Sequence, residues 1–437
     1  MTVQIFIKKV IGKLRSWIDN ANETLFGYAI LLVQVCVCKC RYQRILTRIR
    51  KREQGKKIRV LFMSDNVSKW KCQSVYDAML RSDYFEPLIG ITMKPREMCA
   101  SVEIRNKIVS ERSAYFTRIG DKVIIVCDPQ KGKFLDIGCF DPDIVFFEEP
   151  WLLPDSQSVY RISTCALTCY VPYSYEVAFN KKFVCMRKFH RLMWRIFANS
   201  EERVELYEQS NRNFEMAGKA VSFGYPLLDY FNNVESYEKR DLVIYAPHFS
   251  FHVDGQESIL KLGTFDWNGR EMLSYAKEHP EISWAFKPHP GLFDRLVDSG
   301  VMTALEASQY YAEWEKVGVG CYDGNYLQYF SKAKALITDC GSFLVEFIPT
   351  KMPIIRMIRN DTNWKPTPAH KKLFSTYYTA RDWNELKTIL DQVVINGQDP
   401  KCECRLSVAK ELGLWGSNAG ESITDFLKNM CEPRDGK

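Results

Sequence analysis

Short, unbroken apolar runs recur along this chain, and each ends in a polar turn that is followed by a helical pattern. The first run, residues 58–63, ends at Ser64-Asp65-Asn66, and a helical stretch follows at 74–81. A second apolar run at 87–92 completes the strand, loop, helix, strand order that opens a βαβ unit. Because these runs are continuous rather than alternating, the sheet they form is covered on both faces. The pattern therefore predicts a parallel α/β fold.

The pattern stops at a polar break, residues 232–240, and then starts again. Before the break it predicts strands at 122–127, 144–147, 168–171 and 220–223, and helices at 182–197 and 202–209. After the break it predicts strands at 241–246, 283–287, 335–338 and 354–357, and helices at 270–279, 292–297, 304–316, from 342, and at 386–394.

A chain of 437 residues is too long for one ordinary core. We therefore expect two Rossmann-like, doubly wound parallel-sheet domains, at 57–230 and 240–400. A basic helical arm at 1–56 precedes them, and a helical tail at 401–437 follows. In doubly wound sheets, ligands bind at the carboxyl ends of the strands, so we expect the chemistry in the crevice between the domains.

The strand at 283–287 ends in Lys287-Pro288-His289-Pro290, where two prolines hold a lysine and a histidine in a rigid turn. An ammonium and an imidazole that face one point supply the charge and the donors that a diphosphate needs. We therefore assign Lys287 and His289 to binding a nucleotide diphosphate. The alternative is a loop lysine beside an incidental histidine.

A second turn, Asp339-Cys340-Gly341-Ser342, follows the strand at 335–338. Its Gly341 and Ser342 are expected to expose backbone N–H groups at the start of a helix, which makes an anion site. Glu346 lies one turn inside that helix, where its carboxylate could meet ribose hydroxyls. Asp339 either belongs to the same nucleotide-binding set or only caps the helix.

Carboxylates follow the strands of the first half. Asp65 follows the first strand, and Glu148 and Glu149 follow the strand at 144–147. An attacking hydroxyl needs a general base within hydrogen-bond reach, and these side chains are candidates, with His248 at the end of the strand at 241–246. Adjacent strand residues point to opposite faces, so at most one of the two glutamates should face the site. The alternative is a pair of solvated acids at a strand end.

Four short motifs occur in order along the chain: Gly224-Tyr225-Pro226 with Asp229, Tyr245-Ala246-Pro247, Lys287-Pro288-His289-Pro290, and Thr338-Asp339-Cys340-Gly341-Ser342 followed by Pro353-Ile354-Ile355. The set resembles the CDP-glycerol glycerophosphotransferase family, which includes teichoic-acid polymerases and related capsule and O-antigen enzymes. The resemblance covers residues 58–400, approximately, and implies a GT-B architecture with the acceptor in the N-terminal domain and the nucleotide donor in the C-terminal domain. It also implies membrane association through basic N-terminal helices and transfer from a CDP-alditol.

The chain departs from the family pattern at three places. Members commonly carry a His-Gly pair that supplies the base, whereas this chain has no such pair and its first half contains a single histidine, His190. His248 stands where threonine usually follows Tyr-Ala-Pro, and Cys340-Gly341 replaces the usual Tyr-Ser. The donor therefore stays open between a CDP-linked polyol and a nucleotide sugar.

The positive charge is concentrated in the arm. Residues 1–57 carry thirteen Lys and Arg against three acids, while the whole chain has a net charge of +7. The apolar run at 25–38 is shorter than the roughly 20 residues that span a bilayer and has the size of an interfacial helix. This favours an anionic membrane surface over nucleic acid as the partner, with the protein peripheral on the cytoplasmic face of the inner membrane. The alternative is a helix packed on the protein's own body with solvated basic residues.

The fifteen cysteines include no Cys-x-x-Cys pair and have no histidine at zinc-ligand spacing, which favours reduced thiols in a cytosolic protein. The Asp-x-Asp triplet at 141–143 precedes a strand, so it lies at the wrong end of the sheet for a donor. We therefore expect no metal and no cofactor apart from a nucleotide-activated donor as substrate.

These patterns lead to three hypotheses on function. The first is a transferase that moves glycerol phosphate, or a related polyol phosphate, from a CDP-activated donor to a growing cell-surface glycan, either lipid-linked or polymeric. The second is a GT-B glycosyltransferase that uses a nucleotide sugar in capsule or O-antigen synthesis. The third is a non-catalytic scaffold that binds lipid or glycan.

Overall fold

The computed structural model describes residues 25–53, 55–151, 153–177, 187–214, 216–232, 241–251, 261–322, 326–362 and 364–433. These residues form two parallel sheets, of seven and six strands, with helices packed on them. The inner strands of both sheets are mostly buried, as continuous apolar runs require. The prediction of two Rossmann-like parallel-sheet domains is therefore confirmed.

The N-terminal domain contains the seven-stranded sheet. Its strands are β1 (Ile58–Ser64), β2 (Phe85–Ile91), β3 (Val123–Ile125), β6 (Ile144–Phe147), β7 (Leu167–Tyr170), β8 (Arg195–Ala198) and β9 (Ala220–Ser222), and a small antiparallel ribbon consists of β4 (Cys127–Asp128) and β5 (Lys133–Phe134). The order in the sheet is β3-β2-β1-β6-β7-β8-β9. Its helices are α1 (Leu25–Arg50), α2 (Gln73–Arg81), α3 (Pro95–Met98), α4 (Val102–Phe116), α5 (Val159–Ile162), α6 (Lys188–Leu192) and α7 (Glu201–Ser210).

The strand β8 corrects one prediction. A helix over 182–197 is wrong at its end, because Arg195–Ala198 pairs in parallel with β7 and β9, and α6 ends at Leu192. Residues 182–186 lie outside the described part of the chain. Four residues are too few to show a period of their own, so pairing with two neighbouring strands decides their conformation.

The C-terminal domain contains the six-stranded sheet. Its strands are β10 (Leu242–Ala246), β11 (Ser283–Phe286), β12 (Gly318–Gly320), β13 (Ala333–Thr338), β14 (Ile354–Met357) and β15 (Tyr378–Ala380), in the order β12-β11-β10-β13-β14-β15. Its helices are α8 (Phe265–Glu278), α9 (Leu292–Asp298), α10 (Ala304–Val317), α11 (Leu327–Lys332), α12 (Phe343–Glu346), α13 (Pro368–Ser375) and α14 (Trp383–Leu390). The helix α10 begins at a capping box, in which Thr303 and Glu306 satisfy each other's backbone N–H groups.

The helix α1 packs on the body of the N-terminal domain. One face of it, which includes Leu31 and Val35, is buried in the main core of that domain. The hydroxyl of Tyr42 on the same face lies 2.6 Å from Thr168 Oγ1 and donates to the backbone oxygen of Leu192 at 2.8 Å. The alternative of a helix packed on the protein itself therefore holds for residues 25–50.

The basic residues of this segment are only partly solvated. Arg52 donates two hydrogen bonds to Asp143, at 2.7 and 2.5 Å, and Arg48 lies 3.4 Å from the same carboxylate. Residues 1–24 lie outside the described ranges, and among the helices that are described none is long and apolar enough to cross a membrane. Binding of the arm to a membrane surface stays a prediction.

Two further helices, α15 (Cys402–Glu411) and α16 (Ala419–Cys431), follow the second sheet. The chain returns at α16 to the N-terminal domain, where Ile423 and Leu427 join its core. Asp229 caps this helix, because its carboxylate accepts from the backbone N–H groups of Ala419 (3.1 Å) and Gly420 (2.8 Å). Hydrogen bonds to Asp229 therefore join the segment that leaves the N-terminal domain to the segment that returns to it.

Candidate active site between the two domains

Both sheets reverse their strand order at a central pair of strands. In the N-terminal sheet, the chain adds β2 and β3 on one side of β1 and then continues with β6 on the other side. In the C-terminal sheet, β11 and β12 lie on one side of β10, and β13 lies on the other. Such switch points are where ligands bind in doubly wound folds. Asp65 and Glu149 follow the first pair, and His248 and Asp339 follow the second.

The N-terminal switch point is lined by buried carboxylates. Glu148 and Glu149 are only 5% and 6% exposed, so the alternative of two solvated acids is excluded. Lys69 donates a hydrogen bond to Glu149, and its Nζ lies 3.5 Å from Asp65 Oδ1. Both glutamates follow the last residue of β6, so the alternation of side chains along a strand does not separate them.

The three carboxyls differ in how easily they ionise. Burial raises the pKa of Glu149 to about 8, and the neighbouring Asp65 adds to this effect. Although burial opposes it, a hydrogen bond from Glu149 and the charge of Lys69 hold the pKa of Asp65 below its ordinary value. Burial raises the pKa of Glu148 well above its ordinary value, against a hydrogen bond with Ser64. The Asp65–Glu149 pair therefore shares one proton at neutral pH, with Asp65 as the ionised member.

Two histidines converge at the C-terminal switch point, with ring centroids 4.7 Å apart. His289 Nδ1 accepts from the backbone N–H of Gly291 at 3.0 Å, and His248 Nδ1 accepts from the backbone N–H of Ser250 at 3.2 Å. Burial lowers the pKa of His289 to about 4 and that of His248 well below its ordinary value. Both rings are therefore neutral at pH 7, and these backbone donors favour the tautomer that carries its proton on Nε2.

This tautomer changes the role expected of His248. A ring that carries its proton on Nε2 and accepts on Nδ1 has no free basic nitrogen to offer a substrate. His248 is therefore suited to donate a hydrogen bond to an anion rather than to act as a base. His190, the histidine of the first half, is fully buried, and its ring packs against Tyr170, the last residue of β7, and against Tyr207 of α7.

Asp339 holds the second switch point together. Its carboxylate accepts from the backbone N–H of His248 (2.6 Å) and from both the backbone N–H and the hydroxyl of Thr264 (2.7 Å each). Burial raises the pKa of Asp339 to about 7, against these bonds. Both oxygens are engaged by the chain's own donors, so Asp339 fixes the loop after β10 and the start of α8 and does not cap α12.

The Gly341 turn lies at the contact between the domains. A Cβ atom at Gly341 would stand 3.3 Å from a methyl group of Val177 of the N-terminal domain and 3.4 Å from the Trp364 ring, so any larger residue packs tightly against both. The helix after Ser342 is the single turn α12, which is too short for a strong helix dipole. The backbone of Thr367 donates to the carbonyl of Val177 at 3.2 Å and joins the domains at the same place.

A buried chain of hydrogen bonds crosses the cleft. Lys71 of the N-terminal domain donates to the hydroxyl of Tyr326 at 2.7 Å, and Tyr326 donates to Glu346 at 2.5 Å. The other oxygen of Glu346, Oε1, is buried and has no hydrogen-bond partner among the described residues. The sequence analysis names Glu346 as a candidate, but it does not single out Lys71 or Tyr326. The one available signal for Lys71 was its place in the loop between β1 and α2.

Metal ligands do not cluster in this part of the molecule. Within the described ranges, no group of three or more His, Cys, Asp or Glu side chains could hold a metal ion. The expectation of a metal-independent reaction stays a prediction.

No family model and no curated protein matches this chain. Several solved structures do match it. They include S. aureus MnaA with UDP (12% identity, TM-score 0.51, 87% of this chain and 100% of that one) and UDP-GlcNAc 2-epimerase from Neisseria meningitidis bound to UDP-GlcNAc (13%, 0.51, 86% and 100%). A variant of the wall teichoic acid polymerase TagF also matches (11%, 0.52, 93% and 97%). At such identities the likeness shows the fold alone, which is the GT-B arrangement of two Rossmann-like domains.

Proposed function

We propose that this protein is a transferase of cell-surface glycan synthesis that moves glycerol phosphate, or a related polyol phosphate, from a CDP-activated donor to a glycan acceptor. The observation that carries the proposal is the difference between the groups that line the two sides of the cleft. Cationic and N–H donor groups lie at the strand ends of the C-terminal domain, and a singly protonated carboxyl pair lies at those of the N-terminal domain.

The donor would lie on the C-terminal domain. Lys287 and the Nε2–H groups of His289 and His248 would neutralise the diphosphate, and neutral imidazoles can donate to phosphoryl oxygens without first losing a proton. The unpartnered Oε1 of Glu346 would accept from a ribose hydroxyl, because a buried carboxylate oxygen without a partner is costly. This division of roles follows the family that the motifs resemble.

The acceptor would lie on the N-terminal domain. Its hydroxyl oxygen attacks the phosphorus of the transferred group, and a new phosphorus–oxygen bond forms. The bond from that phosphorus to the oxygen bridging the diphosphate breaks, and CMP leaves with the electron pair. The proton of the hydroxyl passes to the Asp65–Glu149 pair, which takes the place of the missing His-Gly base.

The place of action would be the cytoplasmic face of the inner membrane, with the protein bound peripherally to anionic lipid. The outer face of α1 supports this, since Val33 is 63% exposed and Ile30 is exposed beside it. Basic residues of the arm lie before and after these positions, and a lipid-linked acceptor would then be presented at the same surface.

A second candidate is a glycosyltransferase on a nucleotide sugar. It is favoured by the replacements at His248 and Cys340-Gly341 and by the UDP and UDP-GlcNAc bound in two proteins of similar fold. The same cleft would then hold the nucleoside diphosphate, and the bond that breaks would join the anomeric carbon to oxygen.

The leaving nucleotide distinguishes the candidates. The purified protein is incubated with CDP-glycerol, CDP-ribitol or UDP-GlcNAc, with and without a lipid-linked glycan acceptor, and the nucleotides released are separated by chromatography. Acceptor-dependent release of CMP supports the proposal, whereas release of UDP identifies a glycosyltransferase. Conversion of UDP-GlcNAc without any acceptor would identify an epimerase, and no turnover of any donor would leave the scaffold hypothesis in place of both.

A further inference from the structure

Two lysines from opposite domains converge on one aromatic side chain. Lys71 Nζ lies 4.6 Å from the centre of the Tyr326 ring, and Lys287 Nζ lies 5.9 Å from it. Both side chains belong to residues that are almost fully buried, with 5% and 6% exposure. The backbone N–H of Lys287 is bonded to the carbonyl of Tyr245 at 2.8 Å, which fixes it at the C-terminal switch point.

Lys71 is buried, and its ammonium has no direct ion pair with any residue that the structure describes. Its ammonium donates to two neutral oxygens, the carbonyl of Ser68 at 3.0 Å and the hydroxyl of Tyr326 at 2.7 Å. Among the described residues no carboxylate lies within 4 Å of it, and Glu346 and Glu148 act on its charge only from farther away. A buried ammonium in this state is unfavourable unless an anion joins it, and burial accordingly lowers the pKa of Lys71.

We propose that Lys71 and Lys287 form a clamp that binds the diphosphate of the donor from both domains at once. Lys71 would exchange the hydroxyl of Tyr326 for a phosphoryl oxygen when the donor enters. The proposal rests on the proposed function only in requiring a diphosphate, and it adds a donor contact from the domain that otherwise serves the acceptor. It also gives the donor a means of holding the two domains together before transfer.

The test is a set of calorimetric titrations with CDP, UDP, cytidine and inorganic pyrophosphate. Lys71→Met should weaken CDP and pyrophosphate about ten- to hundredfold, the range for loss of one charge-assisted hydrogen bond, and leave cytidine unchanged. Lys71→Arg should recover most of the affinity for CDP. Lys107→Met, which removes an exposed lysine of the same domain, is the matched control and should not change any affinity.

Unchanged affinity for CDP and pyrophosphate in Lys71→Met would overturn the clamp, as would an equal loss for cytidine, which indicates a general distortion of the cleft. If Lys71→Met does not fold, Lys71→Gln is measured against the same criteria. A different result would contradict the proposed function without contradicting the clamp: the wild type would bind UDP and CDP with equal affinity and would release no CMP from CDP-glycerol. If the wild type binds none of the diphosphates, both proposals are wrong.

Discussion

The carboxyls of Asp65 and Glu149 share a single proton. The carboxyl that lacks this proton is the one that can accept a proton from a substrate. The hydrogen bond from Glu149 and the charge of Lys69 keep Asp65 ionised. The sequence predicts that all three carboxyls of this region lie at strand ends, but it does not rank their pKa values. That order depends on burial and on Lys69, which contacts carboxyls from two different loops.

We expect Asp65→Asn to lower transfer by roughly 100- to 10,000-fold, the contribution of a general base, while CDP affinity is kept. Glu149→Gln should lose less, because its amide can still donate to Asp65. Glu148→Gln, which resembles the protonated acid that burial favours, is the matched comparison and should show the mildest loss. The measurement is single-turnover CMP release beside CDP titration. Wild-type transfer by Asp65→Asn would move the base to another group.

His190 is a second residue whose environment can be tested. It is fully buried among aromatic rings, neither ring nitrogen has a hydrogen-bond partner in the described part of the chain, and burial lowers its pKa to about 3. The unfolded chain takes up a proton on this ring as the pH falls through about 6.5, whereas the folded protein does not until about 3. His190 therefore removes stability as the pH falls through this window.

His190→Phe keeps the ring contacts and cannot take up the proton. Between pH 7 and pH 5 the variant should lose about 2 kcal/mol less unfolding free energy than the wild type, as measured by urea unfolding at the two values. Comparing the change with pH, rather than the stability itself, excludes any packing cost of the larger ring. Parallel losses in the two proteins would show that His190 is not buried in its neutral form.

At the scale of single elements, the helix α1 is part of the N-terminal core, and this limits how the membrane binding of the arm can be tested. Removal of residues 1–50 would also remove Leu31, Val35 and Tyr42 from the N-terminal core. A loss of liposome binding by that truncated protein could therefore result from unfolding. Removal of residues 1–24 leaves this face intact. We expect the shorter protein to remain folded and to lose most binding to anionic liposomes in a sedimentation assay at moderate salt. Equal binding by the truncated and full-length proteins would contradict a role for the arm.

A point variant tests the same element without a truncation. Val33→Asp places a charge on the exposed face of α1 and should weaken liposome binding without changing the unfolding transition, because the side chain is mostly solvated. Thr47→Asp, on an exposed position farther along the helix, adds the same charge and is the control.

The elements differ in how well the sequence predicts them. The strands Ile144–Phe147 and Ile354–Met357 were predicted to the residue. A parallel strand that is buried on both faces is a continuous apolar run, which the sequence shows directly. Short edge strands such as Gly318–Gly320 and Tyr378–Ala380 were missed, since three residues show no period. The pairing of Lys71 with Tyr326 was also missed, because it joins residues 255 positions apart across the cleft.

At the scale of the whole molecule, Asp229 joins the two segments of the chain that cross between the domains. Besides capping α16, its carboxylate accepts from the hydroxyl of Ser417 at 2.8 Å. We expect Asp229→Ala to destabilise the N-terminal domain by about 1–2 kcal/mol, the value of a helix cap with a side-chain hydrogen bond, as measured by urea unfolding. Ser417→Ala removes one of the three bonds and should cost less. An equal effect of the two variants would mean that the cap contributes nothing.

The return of α16 to the first domain has a consequence for the order of synthesis. The ribosome completes β1 to β9 long before it reaches Ala419–Cys431, yet Ile423 and Leu427 fill the core beneath those strands. The nascent N-terminal half must therefore wait, with an open apolar groove beside α2, while the entire second half is translated. A chain released before α16 is made would expose this groove, which makes the unfinished polypeptide a client for chaperones that shield hydrophobic surface.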